Sequence, residues 1–163
     1  MIQTLKELHR KKTHPLARFN FPIRAIGCFL YMIGLISVLY ESKSPIVWAG
    51  LIFVGIIWPH VAYFHTKISP DGKQAEYRNL LFDGFLAGFW LPVISFRLIP
   101  VTAFIIISSL DNISSGGIRL FIQGLLAMTG SALLCGLFVG FTFIPESSTL
   151  TSIIFGTVLV VFI

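Results

Sequence analysis

The stretch "IRAIGCFLYMIGLISVLY", from Ile23 to Tyr40, decides the fold class of this chain. It carries a single charged side chain, that of Arg24. About 20 such residues form a helix long enough to cross the hydrocarbon core of a bilayer. The preceding residues, 1–22, are too long and polar for the start of a signal peptide, and no small-residue cleavage site follows the run. We therefore expect an N-terminal segment (1–22) followed by a helix that stays in the membrane.

The composition excludes an ordinary soluble domain. Of the 163 residues, 55% are hydrophobic and 12% are charged, whereas soluble domains carry about 25% charged residues. This is too much apolar surface for one globular core, so part of the solvent must be lipid. The net charge of +5 is explained by basic residues at the ends of apolar runs, and no nucleic-acid partner is expected. Cys28 and Cys135 have no metal-ligand spacing and are interpreted as buried small hydrophobes.

Six apolar runs follow one another along the chain. They are Ile23–Tyr40, Ile46–Phe64, Asn79–Phe96, Leu98–Leu110, Leu120–Phe143 and a sixth from Leu150. They predict an all-α, polytopic membrane bundle of six transmembrane helices over residues 23–163, the sixth of them truncated. The fourth run would cover only about 20 Å, so either it extends through Asp111–Ser115 or it forms a thin hairpin with the third. The abrupt end at Ile163 predicts that the chain is the N-terminal piece of a longer protein.

Basic residues predict the orientation. Two of them, Lys43 and Arg97, lie on one side of the predicted membrane, and the other ten lie on the opposite side. Loops rich in Lys and Arg stay in the cytoplasm, so the N-terminal segment is predicted to be cytoplasmic. Six spans would return the C-terminus to the same side.

The predicted topology brings several polar residues to the cytoplasmic end of the bundle. The candidate cluster consists of Arg24, His60, Asp83, Asp111, Asn112 and Arg119. Ionisable groups within membranes usually face the bundle interior and pair, so Asp83, about one turn into the third helix, could pair with Arg24, Arg119 or His60. One interpretation is a polar latch that senses or transmits a signal. The other is a set of structural caps and snorkelling helix ends.

Other motifs bear on packing and chemistry. "GFLAG" at Gly84–Gly88 has the GxxxG spacing that lets helices approach closely, and packing within the bundle is favoured over a dimer seam. No P-loop, GxSxG or HExxH motif occurs, and this chain is predicted not to be an enzyme. His60 and His65 are five residues apart and do not share a helix face, so we predict neither a metal nor a cofactor.

Four stretches carry a resemblance to a known family. They are "FPIRAIG" (Phe21–Gly27), "WPHVAY" (Trp58–Tyr63), "RNLLFDGFLAGFW" (Arg78–Trp90) and "LDNISSGGIRLFIQG" (Leu110–Gly124). In this order they resemble the second type of the MASE family, the membrane-associated sensor domains of bacteria. The matching positions are Pro22, Arg24, Pro59, His60, Asn79, Asp83, Gly88, Asp111, Asn112, Gly117 and Arg119.

The resemblance implies a six-helix input domain in the bacterial inner membrane. It would precede a cytoplasmic diguanylate cyclase of GGDEF type or a class III adenylate cyclase, neither of which is present in this chain. Cyclase catalysis generally needs two catalytic domains, so a homodimer through the full-length protein is implied. The family's ligand is undefined, and no binding residue follows from the resemblance.

Two alternatives to a sensor stay open at this point. A small transporter or proton pathway would use Asp83 and His60, but it would need titratable groups spread across the membrane depth. A purely structural anchor would only hold a cyclase at the membrane.

Overall fold

The computed structural model describes the backbone of residues 15–162 and the side chains of residues 15–160. All regular structure in this part of the chain is helical, so the all-α prediction is confirmed. The helices are α1 (Pro15–Leu39), α2 (Pro45–Ile68), α3 (Gly72–Val93), α4 (Leu98–Val139) and α5 (Thr149–Phe162). The N-terminal segment predicted over 1–22 lies outside the described residues as far as position 14.

The surface is that of a membrane protein. Large apolar side chains point outward, and Phe138, Val160 and Leu137 are 90%, 80% and 75% exposed. Within the described residues, α1, α2 and α4 are long and apolar enough to cross a bilayer. Helices α3 and α5 do not reach the same combination of length and hydropathy. The count of six spans therefore stays a prediction.

The long helix α4 is broken at Gly117. The backbone there has φ 68° and ψ −163°, a combination that is essentially restricted to glycine. The chain reverses at this point, because Gly124 after the break faces the side chain of Asn112 before it. We call residues 98–116 the first arm of α4 and residues 118–139 the second arm. The first arm includes Asp111–Ser115. The helix of the fourth apolar run therefore extends beyond Leu110, which was the first of the two predicted alternatives.

Two helices begin earlier than their apolar runs. Helix α1 starts at Pro15, and α3 starts at Gly72, where the side chain of Asp71 caps it by accepting from the Gln74 N–H at 3.0 Å. Arg24 therefore lies well inside α1, and Asp83 lies about three turns into α3, not one as predicted. Helical backbone satisfies its own hydrogen bonds, so polar residues can continue a helix that the apolar pattern does not reveal.

Small residues set the packing of the bundle. A Cβ on Gly84 would lie 3.1 Å from the carbonyl oxygen of Gly124, and one on Gly88 would overlap the Met128 carbonyl oxygen. The GxxxG face thus packs inside the bundle, against the second arm of α4. Elsewhere, Gly34 of α1 lies against the ring of Phe155 on α5. Of the two free cysteines, Cys135 is buried as predicted, whereas Cys28 is partly exposed.

Helix α2 contains one turn of π-helix, Phe53–Ile57, where the Trp58 N–H bonds to the Phe53 carbonyl oxygen. Pro59 explains the wide turn. Its ring has no N–H and would collide with the carbonyl four residues before it in a regular α-helix, and the wider turn relieves that collision.

Candidate functional site

The most deeply buried charge in the described chain is the carboxylate of Glu76 on α3. Its exposed fraction is 0%, and Arg24 of α1 donates to it from Nη2 at 2.7 Å. Asn20 donates to the same oxygen at 3.1 Å, while the Thr66 hydroxyl and the Asn79 amide reach the other oxygen at 2.9 and 3.4 Å. A buried carboxylate is tolerated only when it is paired and hydrogen-bonded, and Glu76 meets both conditions.

Asp83 accepts the second hydrogen bond of the same guanidinium. Arg24 Nε lies 2.9 Å from Asp83 Oδ2, and the indole N–H of Trp58 donates to Asp83 Oδ1 at 2.5 Å. Arg24 thus bridges two carboxylates of α3, while Trp58 adds α2 to the same group. We call these residues the polar cluster: Asn20, Arg24, Trp58, Thr66, Glu76, Asn79 and Asp83.

Helical spacing explains how the cluster forms. Glu76, Asn79 and Asp83 are three and four residues apart, so they share one face of α3. On α2 the residues Trp58, Ala62 and Thr66 are each four apart, and all three are buried. Asn79 links the two faces, because its amide donates to the Ala62 carbonyl oxygen at 2.9 Å. The sequence thus places the polar face of α3 opposite a face of α2 that offers the Trp58 indole, the Thr66 hydroxyl and the Ala62 backbone carbonyl.

Two predicted site residues lie near the cluster without joining it. Asp111 and Asn112, on the first arm of α4, line the same cavity as Arg24 and Asp83. No hydrogen bond is found between the Asp111 carboxylate and any described residue. Asn112 is buried, and its amide donates to the Ser108 carbonyl oxygen at 2.7 Å, while its Oδ1 has no partner among the described residues.

His60 and Arg119 are not brought to the cluster. The His60 ring is exposed, bonds to the Ile56 carbonyl oxygen at 2.8 Å and lies edge-on to Phe21. Arg119 is also exposed and makes no ion pair within the described residues. Of the three partners considered for Asp83, only Arg24 is in contact with it. Across the described chain no group of three His, Cys, Asp or Glu side chains is placed to hold a metal ion.

Glu76 and Trp58 are cluster residues whose roles the sequence reasoning missed. Glu76 precedes the third apolar run, Asn79–Phe96, so hydropathy alone does not place it in a membrane helix. Its spacing of seven from Asp83 was the available signal, because seven residues return to the same face of a helix after two turns.

A cavity of about 160 Å³ adjoins the cluster, between α1 and the first arm of α4. Arg24, Asp83 and Asp111 line its polar end, and Tyr31 and Phe104 line its apolar end. The two rings stack with centroids 3.7 Å apart, so α1 and the first arm meet there. The gap between α1 and the first arm therefore lies between this ring contact and the polar cluster.

The model of the MASE2 domain matches residues 20–106, more than half of the chain. The chain belongs to the MASE2 family. Every residue of the polar cluster falls inside the matched region, as do most of α1, all of α2 and α3, and the start of α4. Asp111, Asn112 and Arg119 fall outside it.

Curated relatives of this MASE2 domain carry a functional name. The chain is 35% identical over 128 residues to proteins named "Probable diguanylate cyclase DgcC" from Escherichia coli strain K12 and from Escherichia coli O6:H1 strain CFT073. The alignment covers 75% of this chain and 34% of each relative, so the MASE2 domain spans about a third of their length. No solved structure matches the chain.

Proposed function

We propose that this MASE2 domain is the sensory and regulatory input of a nucleotide cyclase that follows it along the chain. The family match and the similarity to probable diguanylate cyclases support the proposal. The catalytic domain would correspond to the part of those relatives that the chain does not match. Diguanylate cyclase is the preferred activity, and class III adenylate cyclase is the alternative.

The proposed arrangement has six membrane crossings: α1, α2, α3, the two arms of α4, and α5. The N-terminus is cytoplasmic in the inner membrane, and the polar cluster extends from the cytoplasmic end of α3, near Glu76, to the middle of that helix at Asp83. The distribution of basic residues and the reversal at Gly117 support this topology. A homodimer would bring two catalytic domains together below the membrane.

The observation that carries the regulatory role is Arg24 shared between Glu76 and Asp83. One cation between two acids can favour either of them, so the cluster can adopt two arrangements that position α1 differently against α3. Helix α1 also packs against α5, where the Ser37 and Thr151 hydroxyls lie 3.0 Å apart. A displacement of α1 would therefore pass to α5, the helix that leads towards the cyclase.

Asp83→Asn in the full-length protein tests this role. It keeps the shape of the side chain but removes one of the two charges between which Arg24 is shared. We expect cyclase output, measured in membranes at equal protein abundance, to change severalfold. Glu146→Gln, an exposed acid at the opposite end of the bundle, serves as the charge-matched control and should leave output unchanged. Unchanged output in both variants would favour a structural anchor.

A further inference from the structure

The cavity beside the polar cluster has two chemically different ends. At the polar end, Asn112 Oδ1 is buried without a hydrogen-bond partner among the described residues. The Asp111 carboxylate, on a partly exposed residue, makes no ion pair with a described residue. Unpartnered buried polar atoms are rare in proteins and call for an explanation, such as a ligand or water. Asn112 Oδ1 and the ionised Asp111 carboxylate both accept hydrogen bonds. They would be satisfied by a group that donates hydrogen bonds.

Charge narrows the choice of ligand. Arg24 supplies one positive charge, but it already contacts two carboxylates, those of Glu76 and Asp83. Asp111 adds a third acid to the polar end of the cavity. The acids exceed the cation in this group, so a positively charged head is favoured over a neutral or negative one.

The other end of the cavity is apolar. Val54, Phe104 and Val158 line it together with the ring of Tyr31, whose buried hydroxyl has no partner among the described residues. The volume of about 160 Å³ is comparable to the roughly 150 Å³ of an engineered apolar cavity that accepts benzene. The space therefore suits one ring or a short hydrocarbon chain.

We propose that this cavity binds a small amphiphilic cation. A primary ammonium head donates to the Asp111 carboxylate and to Asn112 Oδ1, and an apolar group about the size of one ring fills the space near Tyr31 and Phe104. Bound there, the ligand lies between α1 and the first arm of α4 and adjoins Arg24. This location makes it a candidate input signal, a consequence that rests on the proposed function, whereas binding itself does not.

A set of four ring compounds of similar size tests the ligand class. Benzylammonium, benzyl alcohol, toluene and benzoate are titrated against the full-length protein in phosphatidylcholine nanodiscs. Ligand-observed NMR and the midpoint of thermal unfolding report binding, and empty nanodiscs correct for partition into lipid. We expect benzylammonium to bind about tenfold or more tightly than benzyl alcohol and toluene, because hydrogen bonds to a charged group are the stronger ones. Benzoate should bind weakest.

Variants locate the site. Asp111→Asn should lower benzylammonium affinity about tenfold and leave benzyl alcohol nearly unaffected, and Glu146→Gln should change neither. Ala87→Phe, which fills the cavity, should abolish the binding of all four compounds. If Ala87→Phe does not fold, the comparison of Asp111→Asn with Glu146→Gln still decides. Equal affinity for the four compounds, or a preference that survives Asp111→Asn, would overturn the proposal.

Two further comparisons separate related outcomes. A primary ammonium group also occurs in phosphatidylethanolamine, so competition by that lipid in the nanodisc would identify a headgroup as the source of the same chemistry. Cyclase output of the full-length protein is measured with benzylammonium present. Binding without a change in output would contradict the sensory role and leave the site standing, whereas the absence of binding would remove the site and leave the role of Arg24 to its own test.

Discussion

Arg24 is the residue on which the polar cluster depends, because it compensates two carboxylates at once. Arg24→Ala leaves Glu76 buried without its ionic partner, and removing one partner of a buried pair costs about 3–5 kcal/mol of stability. Arg24→Lys keeps the charge but cannot reproduce the two-pronged contact, so it should recover only part of the loss. Arg18→Ala, an exposed arginine on the same helix, should cost little. Denaturant unfolding in detergent measures all three variants; equal losses at positions 18 and 24 would contradict the assignment.

Trp58 and Trp90 allow a matched test of the bond to Asp83. Both indoles are buried, at 8% and 3% exposure, but only Trp58 Nε1 has a hydrogen-bond partner in the described chain. Replacing each by Phe removes similar packing, so the difference between the two variants reports the bond to the carboxylate. We expect Trp58→Phe to be the more destabilising by about 1.5–3 kcal/mol, measured by thermal unfolding. Similar losses in the two variants would show that the bond contributes little.

At the residue scale the sequence predicted part of the candidate site. Asp83 and Arg24 could be paired in advance because both are charges inside apolar runs, and such charges seek partners. His60 could not be excluded as a partner of Asp83, because the sequence does not show which face of α2 points towards α3. Glu76 was hidden by its position before the apolar run.

The close approach of α3 to the second arm of α4 depends on Gly88. A Cβ there would collide with backbone, which cannot move aside as a side chain can. Gly88→Ala should therefore destabilise the protein by about 1–3 kcal/mol, as overpacking usually does. A Cβ on Gly130, in the second arm of α4, would meet no atom within 4 Å, so Gly130→Ala should be neutral or slightly stabilising. Thermal unfolding compares the two; a neutral Gly88→Ala would mean that the helices are less tightly packed.

The reversal of α4 depends on Gly117. Alanine at φ 68° and ψ −163° would be strained by about 1–3 kcal/mol, although no atom lies within 4 Å of its Cβ. Gly156→Ala in α5 also meets nothing within 4 Å but lies in regular helix, so it separates backbone strain from the mere addition of a methyl group. We expect Gly117→Ala alone to lower the unfolding midpoint. A loss shared by both variants would point away from the conformation of Gly117.

At the element scale, apolar runs located the helices but not their ends. The polar first turns of α3 and the last turns of the first arm of α4 are helical because caps and neighbouring helices support them. The π turn in α2 was not predicted from the sequence. Hydropathy indicates which segments lie in lipid. It carries no information on how the backbone hydrogen bonds of a helix rearrange around one proline.

For the whole molecule, single cysteines test the proposed six crossings. In a background with Cys28 and Cys135 replaced by alanine, Lys43→Cys and Glu146→Cys should react with a membrane-impermeant maleimide added to spheroplasts. Lys73→Cys and Ser114→Cys should react only after lysis. All four native positions are exposed, so accessibility within the fold does not confuse the result. Labelling of Ser114→Cys from outside would show that the reversal in α4 faces the other way.

The membrane class and the family were within reach of the sequence, since composition and ordered motifs report both. The cavity was not. Its existence depends on how far α1 stands from the first arm of α4, and no local pattern encodes that distance. The stack of Tyr31 on Phe104 brings the two helices into contact at the level of these rings.

The π turn of α2 has a consequence for motion. It holds one residue more than an α turn, and each residue advances an α-helix by about 100° around its axis. Moving that extra residue along the helix would turn the segment after it relative to the segment before it, without breaking the helix. Trp58 directly follows the turn and would swing away from Asp83 as it turned. The π turn is therefore a point at which α2 can rotate, and Trp58 next to it contacts the Asp83 carboxylate that Arg24 shares.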